Sequence, residues 1–465
     1  MATAPPSEPA ALSERGSSAV DRLLDLIEAE DLLPAGQDTV ELNRLQLAAA
    51  DERFQAQRRR IAVLDHRARE FGIERIMSID DLVPLLFTHS VYKSYPESFV
   101  LKGRWDRLSA WLDTVADCSA TGVDVSDVSD IDDWIARLES AGVHLVASSG
   151  TSGKQSFLPM SDDDVARANQ ISARMFAYPL RVSPAVRRPV TLLAPGRARM
   201  RYSYSFRTYC AIFGREGATA SLTDEPMLVA DAIETARLRR AMLGGSISPS
   251  ELTALEERDR ERAERVEGWL QALTERILAQ RDEPQILVGP WATFWRVKEI
   301  AEAAGVGPGT FHPETVASVS GGLKGLQLPD DYQEQLAAFL GPVLRPRHYA
   351  MSELSTALPF CERGRYHPMP WVVLIVLDES GEKLATPAGD GSTTGRAAFY
   401  DPVWTQRWGG LVSGDRITVW STPCGCGRPG PSVEDSVRRF SDIAGDDDKL
   451  TCGGTIEQYI RGVTR

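Results

Sequence analysis

The sequence has few of the features that mark secreted, membrane-spanning or nucleic-acid-binding proteins. Its 465 residues include only six cysteines, too few to suggest a disulfide-stabilised scaffold. No apolar run is long enough to span a membrane, and residues 1–13 lack the basic and apolar segments of a secretory signal. The net charge of −13 disfavours nonspecific binding to nucleic acid or anionic membranes. We therefore expect a cytoplasmic protein that binds neither.

The apolar and charged fractions, 43% and 25%, are those of an ordinary globular protein. The length allows two or three domains. Strand patterns at residues 189–194 and 285–289, separated and followed by helical patterns, favour an α/β fold. We predict four parts: a disordered N-terminus over 1–18, a helical region over 19–142, an α/β core over 143–437 and a short tail over 438–465.

A heptad rich in glycine and hydroxyl residues follows a short apolar run at residues 143–147, which predicts the end of a buried strand. The heptad consists of Ser148, Ser149, Gly150, Thr151, Ser152, Gly153 and Lys154. Glycine lets the backbone approach a phosphate, hydroxyl and amide groups donate hydrogen bonds, and the lysine adds positive charge. The spacing is not that of a Walker P-loop. On its own the heptad fits either a phosphate-binding loop or a glycine-rich surface turn.

Three further short elements follow the heptad along the chain. They are Gly321-Gly322 after a strand pattern, the run from Tyr349 to Glu353 that includes Ser352, and Gly414-Asp415. Singly, each has an ordinary structural interpretation, such as a turn for Gly414-Asp415 or a helix cap for Ser352-Glu353. In this order, the four elements together resemble the adenylate-forming superfamily of acyl-CoA ligases, adenylation domains and luciferases over about residues 145–450. The most similar branch comprises phenylacetate–CoA ligases and the acyl-protein synthetases of bacterial bioluminescence.

The resemblance implies how ATP would be held. Residues 148–154 would surround the β- and γ-phosphates. Gly321 and Gly322 would let the backbone approach the adenine, and Tyr349 would stack on that ring or flank it.

The resemblance also implies roles around the reacting phosphate and the ribose. Ser352 would contact the α-phosphate, and Glu353 would hold Mg²⁺, which prefers carboxylate and phosphate oxygens. Asp415 would accept hydrogen bonds from both ribose hydroxyls. The superfamily has an arginine at the hinge before its C-terminal domain; Arg438 and Arg439 are both candidates, and the sequence does not choose between them.

The reaction implied by the resemblance is the ATP- and Mg²⁺-dependent activation of a carboxylic acid as an acyl-adenylate. The acyl group would then pass to a thiol or amine acceptor: CoA, a carrier protein, a protein cysteine or an amine, with a role in specialised metabolism. A hypothesis from another class is a non-catalytic nucleotide-binding partner subunit. The presence of Lys154, Glu353 and Asp415 argues against it.

The resemblance implies a mobile C-terminal domain with a lysine used in adenylation. Only fifty residues follow Asp415, so we expect that domain to be missing or reduced, with 438–465 as hinge and truncated tail. Lys449 is a candidate substitute for the lysine. The similarly short acyl-protein synthetases transfer the acyl group to a cysteine near their own C-terminus. Cys452 is therefore a candidate acceptor, the alternative being an unreactive loop cysteine.

A second group of residues suggests a metal site. Cys361 and His367 are separated by five residues, and Cys424-Gly425-Cys426 lies downstream in a glycine- and proline-rich stretch. Thiolates and imidazole are the ligands of tetrahedral Zn²⁺, and four of them close a structural site. Some phenylacetate–CoA ligases carry zinc on a similar arrangement. We expect a structural zinc that joins the chain near Asp415 to the segment after Glu353; the alternative is that the cysteines are free thiols.

Overall fold

The structure, a computed structural model, describes residues 18–147, 154–177, 182–320 and 327–444. These residues form both helices and strands in a mixed α/β fold, as the sequence predicted. None of the helices in these ranges is both long enough and apolar enough to cross a membrane.

The first part of the chain is largely helical. Its elements are α1 (Ala19–Leu24), α2 (Thr39–Gln57), α3 (Ala62–Glu70), α4 (Ile79–Leu82), β1 (Phe87–Thr88), α5 (Glu97–Leu101), α6 (Trp105–Val115) and α7 (Ile131–Ser140), with 3₁₀ turns at Asp25–Glu28, Val83–Leu85, Val91–Lys93 and Ala120–Gly122. Local capping explains several starts. Asp38 accepts hydrogen bonds from the first backbone N–H groups of α2, and Ser78 forms a capping box with Asp81 at α4.

The middle of the chain contains a parallel sheet flanked by helices. Its elements are β2 (His144–Ala147), β3 (Phe157–Met160), α8 (Asp162–Ala177), β4 (Arg188–Leu192), α9 (Arg201–Phe213), β5 (Gly214–Ser221), α10 (Val229–Leu243), α11 (Pro249–Ala279), β6 (Ile286–Pro290), α12 (Trp291–Ala303), β7 (Val316–Ser320) and α13 (Tyr332–Leu340). Strands β2 and β3 form an antiparallel hairpin, and the parallel sheet has the order β5-β4-β6-β7. The predicted strands at 189–194 and 285–289 are confirmed as β4 and β6.

The last part of the chain forms a mostly antiparallel sheet. Its elements are β8 (His348–Tyr349), β9 (Leu358–Pro359), β10 (Arg365–Tyr366), β11 (Val373–Leu377), β12 (Ser392–Tyr400), β13 (Gly410–Trp420), β14 (Ser432–Glu434), β15 (Arg438–Arg439) and α14 (Phe440–Ala444). The order is β10-β14-β13-β12-β11, with β1 and β15 also paired to β13, while β8 and β9 pair separately.

The alternative interpretation of Gly414-Asp415 as a turn is wrong, because both residues lie inside the eleven-residue strand β13. Glycine in this strand reflects close packing. A Cβ added at Gly410 would lie 2.4 Å from Nε1 of Trp408, so a side chain has no room there. Asp415 is therefore held by a sheet rather than by a loop.

One hydrophobic cluster runs from the N-terminal helices into the C-terminal sheet. It includes Leu64 of α3, Trp111 of α6 and Phe399 of β12. Backbone pairing joins the same parts, since β1 runs parallel to β13 with Phe87 opposite Leu411. Packing is thus continuous across residues 142 and 143, where the sequence suggested a boundary. Smaller clusters lie around the parallel sheet.

Candidate active site

Two candidate residues, Tyr349 and Arg439, contact a third candidate, Asp415. The Tyr349 hydroxyl donates a hydrogen bond to Oδ2 of Asp415 at 2.7 Å. Nε of Arg439 lies 3.0 Å from Oδ1 of the same carboxylate. Asp415 is only 6% exposed, so the phenol and the guanidinium compensate a largely buried charge. Burial, followed by the charge of Asp415, raises the pKa of Tyr349 well above its usual value, and the phenol remains a donor.

The structure distinguishes the two arginine candidates. Strand β15 pairs with β13 so that Arg439 is opposite Asp415 and Arg438 is opposite Arg416. Adjacent side chains of a strand point to opposite faces. Accordingly it is Arg439, not Arg438, whose guanidinium contacts Asp415.

Glu353 lies in the turn between β8 and β9 and is half-buried. Burial raises the pKa of its carboxyl group, while the positive charges of Arg407 and Arg439 act in the opposite direction. Arg439, which contacts Asp415, lowers the pKa of Glu353, and the charge of Asp415 raises it. Ser352, also half-buried, precedes Glu353 in the same turn.

Arg407 is a site residue that sequence reasoning missed. Its side chain is almost completely buried, at 1% exposure. One guanidinium nitrogen donates to the Pro159 carbonyl of β3 at 2.8 Å, and the other to the Glu353 carbonyl at 3.2 Å. The guanidinium lies over the ring of Trp404, whose Nε1 donates to the same Glu353 carbonyl at 2.9 Å. Arg407 therefore ties the β2–β3 hairpin to the turn that carries Glu353.

Lys154 is the one member of the glycine-rich heptad within the described ranges. The heptad lies between β2 and β3, since β2 ends at Ala147 and β3 begins at Phe157. Nζ of Lys154 donates to the carbonyl of Tyr95 and lies 4.4 Å from the centre of that ring. The Tyr95 hydroxyl in turn donates to the Gln155 carbonyl at 3.1 Å. The loop of residues 91–96 thus supports the end of the heptad.

Several predicted residues lie outside the described ranges. They are Ser148, Ser149, Gly150, Thr151, Ser152, Gly153, Gly321, Gly322, Lys449 and Cys452. Their predicted roles stay predictions.

The four predicted metal ligands form one cluster. The ligand atoms of Cys361, His367, Cys424 and Cys426 all lie within 4.8 Å of one another. The two sulfur atoms of Cys361 and Cys424 are 3.8 Å apart, and Sγ of Cys426 is 3.4 Å from Nε2 of His367. Tetrahedral Zn²⁺ with ordinary bond lengths needs about 3.8 Å between two sulfurs and about 3.6 Å between sulfur and nitrogen. The donor set fits zinc in both chemistry and spacing.

Two backbone turns of the same form present the cysteines. In each turn the cysteine carbonyl accepts from a glycine three residues later, Gly364 or Gly427, at 3.0 and 2.9 Å. Both glycines have positive φ, at 77° and 89°, where a side chain would be strained. Each turn closes when the cysteine N–H donates to the carbonyl four residues on, in Arg365 or Arg428.

His367 is in the protonation state that a metal ligand requires. Burial, followed by the positive charge of Arg428, lowers the pKa of His367 to about 4. The imidazole is therefore neutral near pH 7, with a lone pair available for a cation. Its backbone N–H donates to the carbonyl of Pro359, which fixes the ligand to β9.

Comparison with known proteins adds little to this description. No family model matches the chain, and no curated protein matches it. Among solved structures, it is similar to a natural red-emitting luciferase from Phrixothrix hirtus. The TM-score is 0.34 and the identity 10%, over 86% of this chain and 74% of that chain. A likeness at this level assigns no family, so the site is interpreted from its own residues.

Proposed function

We propose that the chain activates a carboxylic acid with ATP and forms an acyl-adenylate. The observation that carries the proposal is that Tyr349 and Arg439 both contact Asp415. The charges of Arg439 and Asp415 also act on Glu353. These residues come from separate segments, and each was singled out from the sequence for a role around one nucleotide. A structural role alone would not require that they converge.

Asp415 is suited to bind the ribose. Tyr349 and Arg439 each hold one carboxylate oxygen, and an ionised carboxylate has about four acceptor positions. Lone pairs therefore remain for two ribose hydroxyls. The Arg439 side chain is 61% exposed, so in our proposal it faces the nucleotide and adds positive charge near the phosphates.

In the proposed reaction, an oxygen of the substrate carboxylate attacks the α-phosphorus of ATP. A bond forms between that oxygen and phosphorus, the bond from phosphorus to the bridging oxygen breaks, and pyrophosphate leaves with the electron pair. The residues mainly orient the two reactants and offset charge on the phosphates. Lys154 would act at the β- and γ-phosphates together with residues 148–153, and Ser352 at the α-phosphate.

Glu353 would hold Mg²⁺. The carboxylate fits the ion, because burial disfavours its negative charge in the free protein and a cation would compensate it. When bound, the ion would supply positive charge to the phosphate oxygens of ATP.

The structural zinc is part of the same proposal. Cys361, His367, Cys424 and Cys426 would hold it with no open position, so it would stabilise the fold rather than take part in chemistry. The acceptor of the acyl group stays open among CoA, a carrier protein, a protein cysteine and an amine.

The test is pyrophosphate release by the full-length chain with ATP, Mg²⁺ and a panel of carboxylic acids, with hydroxylamine to trap the acyl-adenylate. We expect release with at least one acid. Asp415→Asn should weaken ATP binding about tenfold or more, the loss of a charge-assisted hydrogen bond. Asp390→Asn is the matched control, because Asp390 caps an exposed turn through Ser392. It should leave ATP binding unchanged.

The outcomes separate the two hypotheses. ATP binding without pyrophosphate release for any acid would favour a non-catalytic nucleotide-binding subunit. No ATP binding at all would remove both. Glu353→Gln should retain ATP binding without Mg²⁺ and lose pyrophosphate release; an active variant would exclude the role of Glu353.

A further inference from the structure

Arg201, the first residue of α9, places a positive charge at a half-buried position. Its guanidinium donates to the Ser355 carbonyl at 3.1 Å and to the Ala168 carbonyl at 3.5 Å. Sδ of Met160 is 3.9 Å away, and the centre of the Trp404 ring is 5.6 Å away. All four partners are uncharged. Within the described ranges, no carboxylate lies at ion-pair distance from Arg201.

Among the residues that the structure describes, none forms an ion pair with Arg201. Burial, followed by the positive charge of Arg407, lowers the pKa of Arg201 to about 10. Asp401 acts in the opposite direction but is engaged elsewhere. Its carboxylate accepts from the backbone N–H of Ser355 at 2.6 Å and from that of Val403 at 3.2 Å. A half-buried guanidinium with no carboxylate at ion-pair distance is partly desolvated, and a bound anion would offset that cost.

Arg201 lies beside the site where the acid would be activated. Its partner Ser355 is two residues beyond Glu353. Arg201 and Arg407 both lie over the ring of Trp404, and Arg407 donates to the carbonyl of Glu353. Arg201 and Glu353 are each half-buried, so solvent reaches part of both side chains.

The same helix carries a second polar side chain near Arg201. Tyr209 follows Arg201 by eight residues, so both lie on one helix face. The charge of Arg201 acts on the Tyr209 phenol, whose pKa burial raises to about 12. The first turn of α9 has no acidic residue, and its N-cap has no side-chain hydrogen bond. A helix N-terminus of this kind favours a nearby anion.

We propose that Arg201 binds a second carboxylate of the acid substrate, remote from the carboxylate that reacts, so that the preferred substrate is a dicarboxylic acid. The inference rests on the proposed function. A guanidinium binds a carboxylate through both oxygens. If Arg201 held the reacting carboxylate in this way, it would engage the lone pairs needed for attack on phosphorus. A remote carboxylate can pair with the half-buried Arg201 and leaves the lone pairs of the reacting carboxylate available for attack.

The test compares linear dicarboxylic acids with their monomethyl esters, which keep chain length but lose the remote charge. The measurement is kcat/KM for ATP–pyrophosphate exchange by the full-length chain. For the best chain length, we expect the diacid to be preferred over its half-ester about tenfold or more, the effect of a charge-assisted hydrogen bond. Arg201→Met should bring the ratio near one, and Arg201→Lys should keep part of it.

Arg207→Met is the matched control, because Arg207 lies on the same helix, is exposed and stacks on Tyr204. It should leave the ratio unchanged. A purely structural role of Arg201 would lower stability in Arg201→Met and leave the ratio as in the wild type, which would overturn the inference. If Arg201→Met does not fold, the wild type and Arg201→Lys still decide, since equal use of diacids and half-esters by the wild type contradicts the proposal.

The two proposals fail in different ways. Exchange with monocarboxylic acids or half-esters, without preference for diacids, would support acid activation and overturn the role of Arg201. No exchange with any acid while ATP binds would overturn acid activation. In that case, direct calorimetric titration of wild type and Arg201→Met with the diacids still decides whether Arg201 binds a carboxylate: equal or absent binding overturns the inference.

Discussion

At the scale of single residues, the hydrogen bond from Tyr349 to Asp415 gives a sharp prediction. Tyr349→Phe keeps the ring but removes a donor from a buried carboxylate. We expect a loss of about 1–3 kcal/mol in the free energy of unfolding and several-fold weaker ATP binding, because one oxygen of Asp415 is no longer fixed. Chemical denaturation and calorimetric titration with ATP measure the two effects.

Tyr366→Phe is the control for this prediction. It removes a comparable bond, from the Tyr366 hydroxyl to Oδ1 of Asp435 at 2.8 Å. It should cost stability but leave ATP affinity near that of the wild type. Equal ATP affinity in Tyr349→Phe and the wild type would show that Tyr349 does not orient Asp415 for the nucleotide.

The predictable part of the site consists of residues in short recognisable patterns. The order of Tyr349, Glu353 and Asp415 along the chain was enough to place them at one proposed site. Arg407 had no such pattern, because its partners are backbone carbonyls of segments far away in sequence. An arginine in a Trp-Thr-Gln-Arg-Trp run is not distinguishable from a surface arginine until the fold is known.

At the scale of elements, the two cysteine turns predict a metal-dependent connection to the proposed nucleotide site. Ligands Cys361 and His367 flank β10, and β9 pairs with β8 so that Leu358 is opposite Tyr349. Cys426→Ser should lower bound zinc from about one per chain to well below that. We also expect a lower melting temperature and weaker ATP binding, because Tyr349 loses support. Elemental analysis and thermal unfolding measure the first two effects.

Cys210→Ser is the matched control for the metal prediction, since Cys210 lies in α9 outside the cluster. It should keep the zinc and the melting temperature. If the purified wild-type protein contains no zinc and its cluster cysteines are freely alkylated, the metal site is contradicted.

The elements themselves were predicted unevenly. Strands β4 and β6 and helix α12 follow from apolar periodicity. The sequence allowed a turn at Gly414-Asp415, whereas both residues lie inside strand β13. Whether a stretch that contains glycine forms a strand depends on the side chains that pack against it. Here Trp408 packs against Gly410, and that contact is not visible in the sequence.

At the scale of the whole molecule, the N-terminal helices and the proposed nucleotide site share one core. The cluster includes Trp111 and Trp134 from the helical part and Trp404 and Trp408 from the part near Glu353. A hydrogen bond from a side chain to the backbone reinforces it: Nε1 of Trp408 donates to the Leu85 carbonyl at 2.9 Å. A helical region that packed as a separate unit would not supply such contacts.

This shared core predicts that damage in the N-terminal helices reaches the site. Leu64 of α3 is fully buried, and Leu64→Ala should lower the free energy of unfolding by about 2–5 kcal/mol. Because β1 pairs with β13, the strand of Asp415, tryptophan fluorescence and ATP binding should be lost in one transition, at a lower denaturant concentration than in the wild type. Val40→Ala, at a position that is 59% exposed, should shift neither. Two separate transitions in Leu64→Ala, with ATP binding unchanged in the first, would mean that the helical region unfolds independently and does not support Asp415.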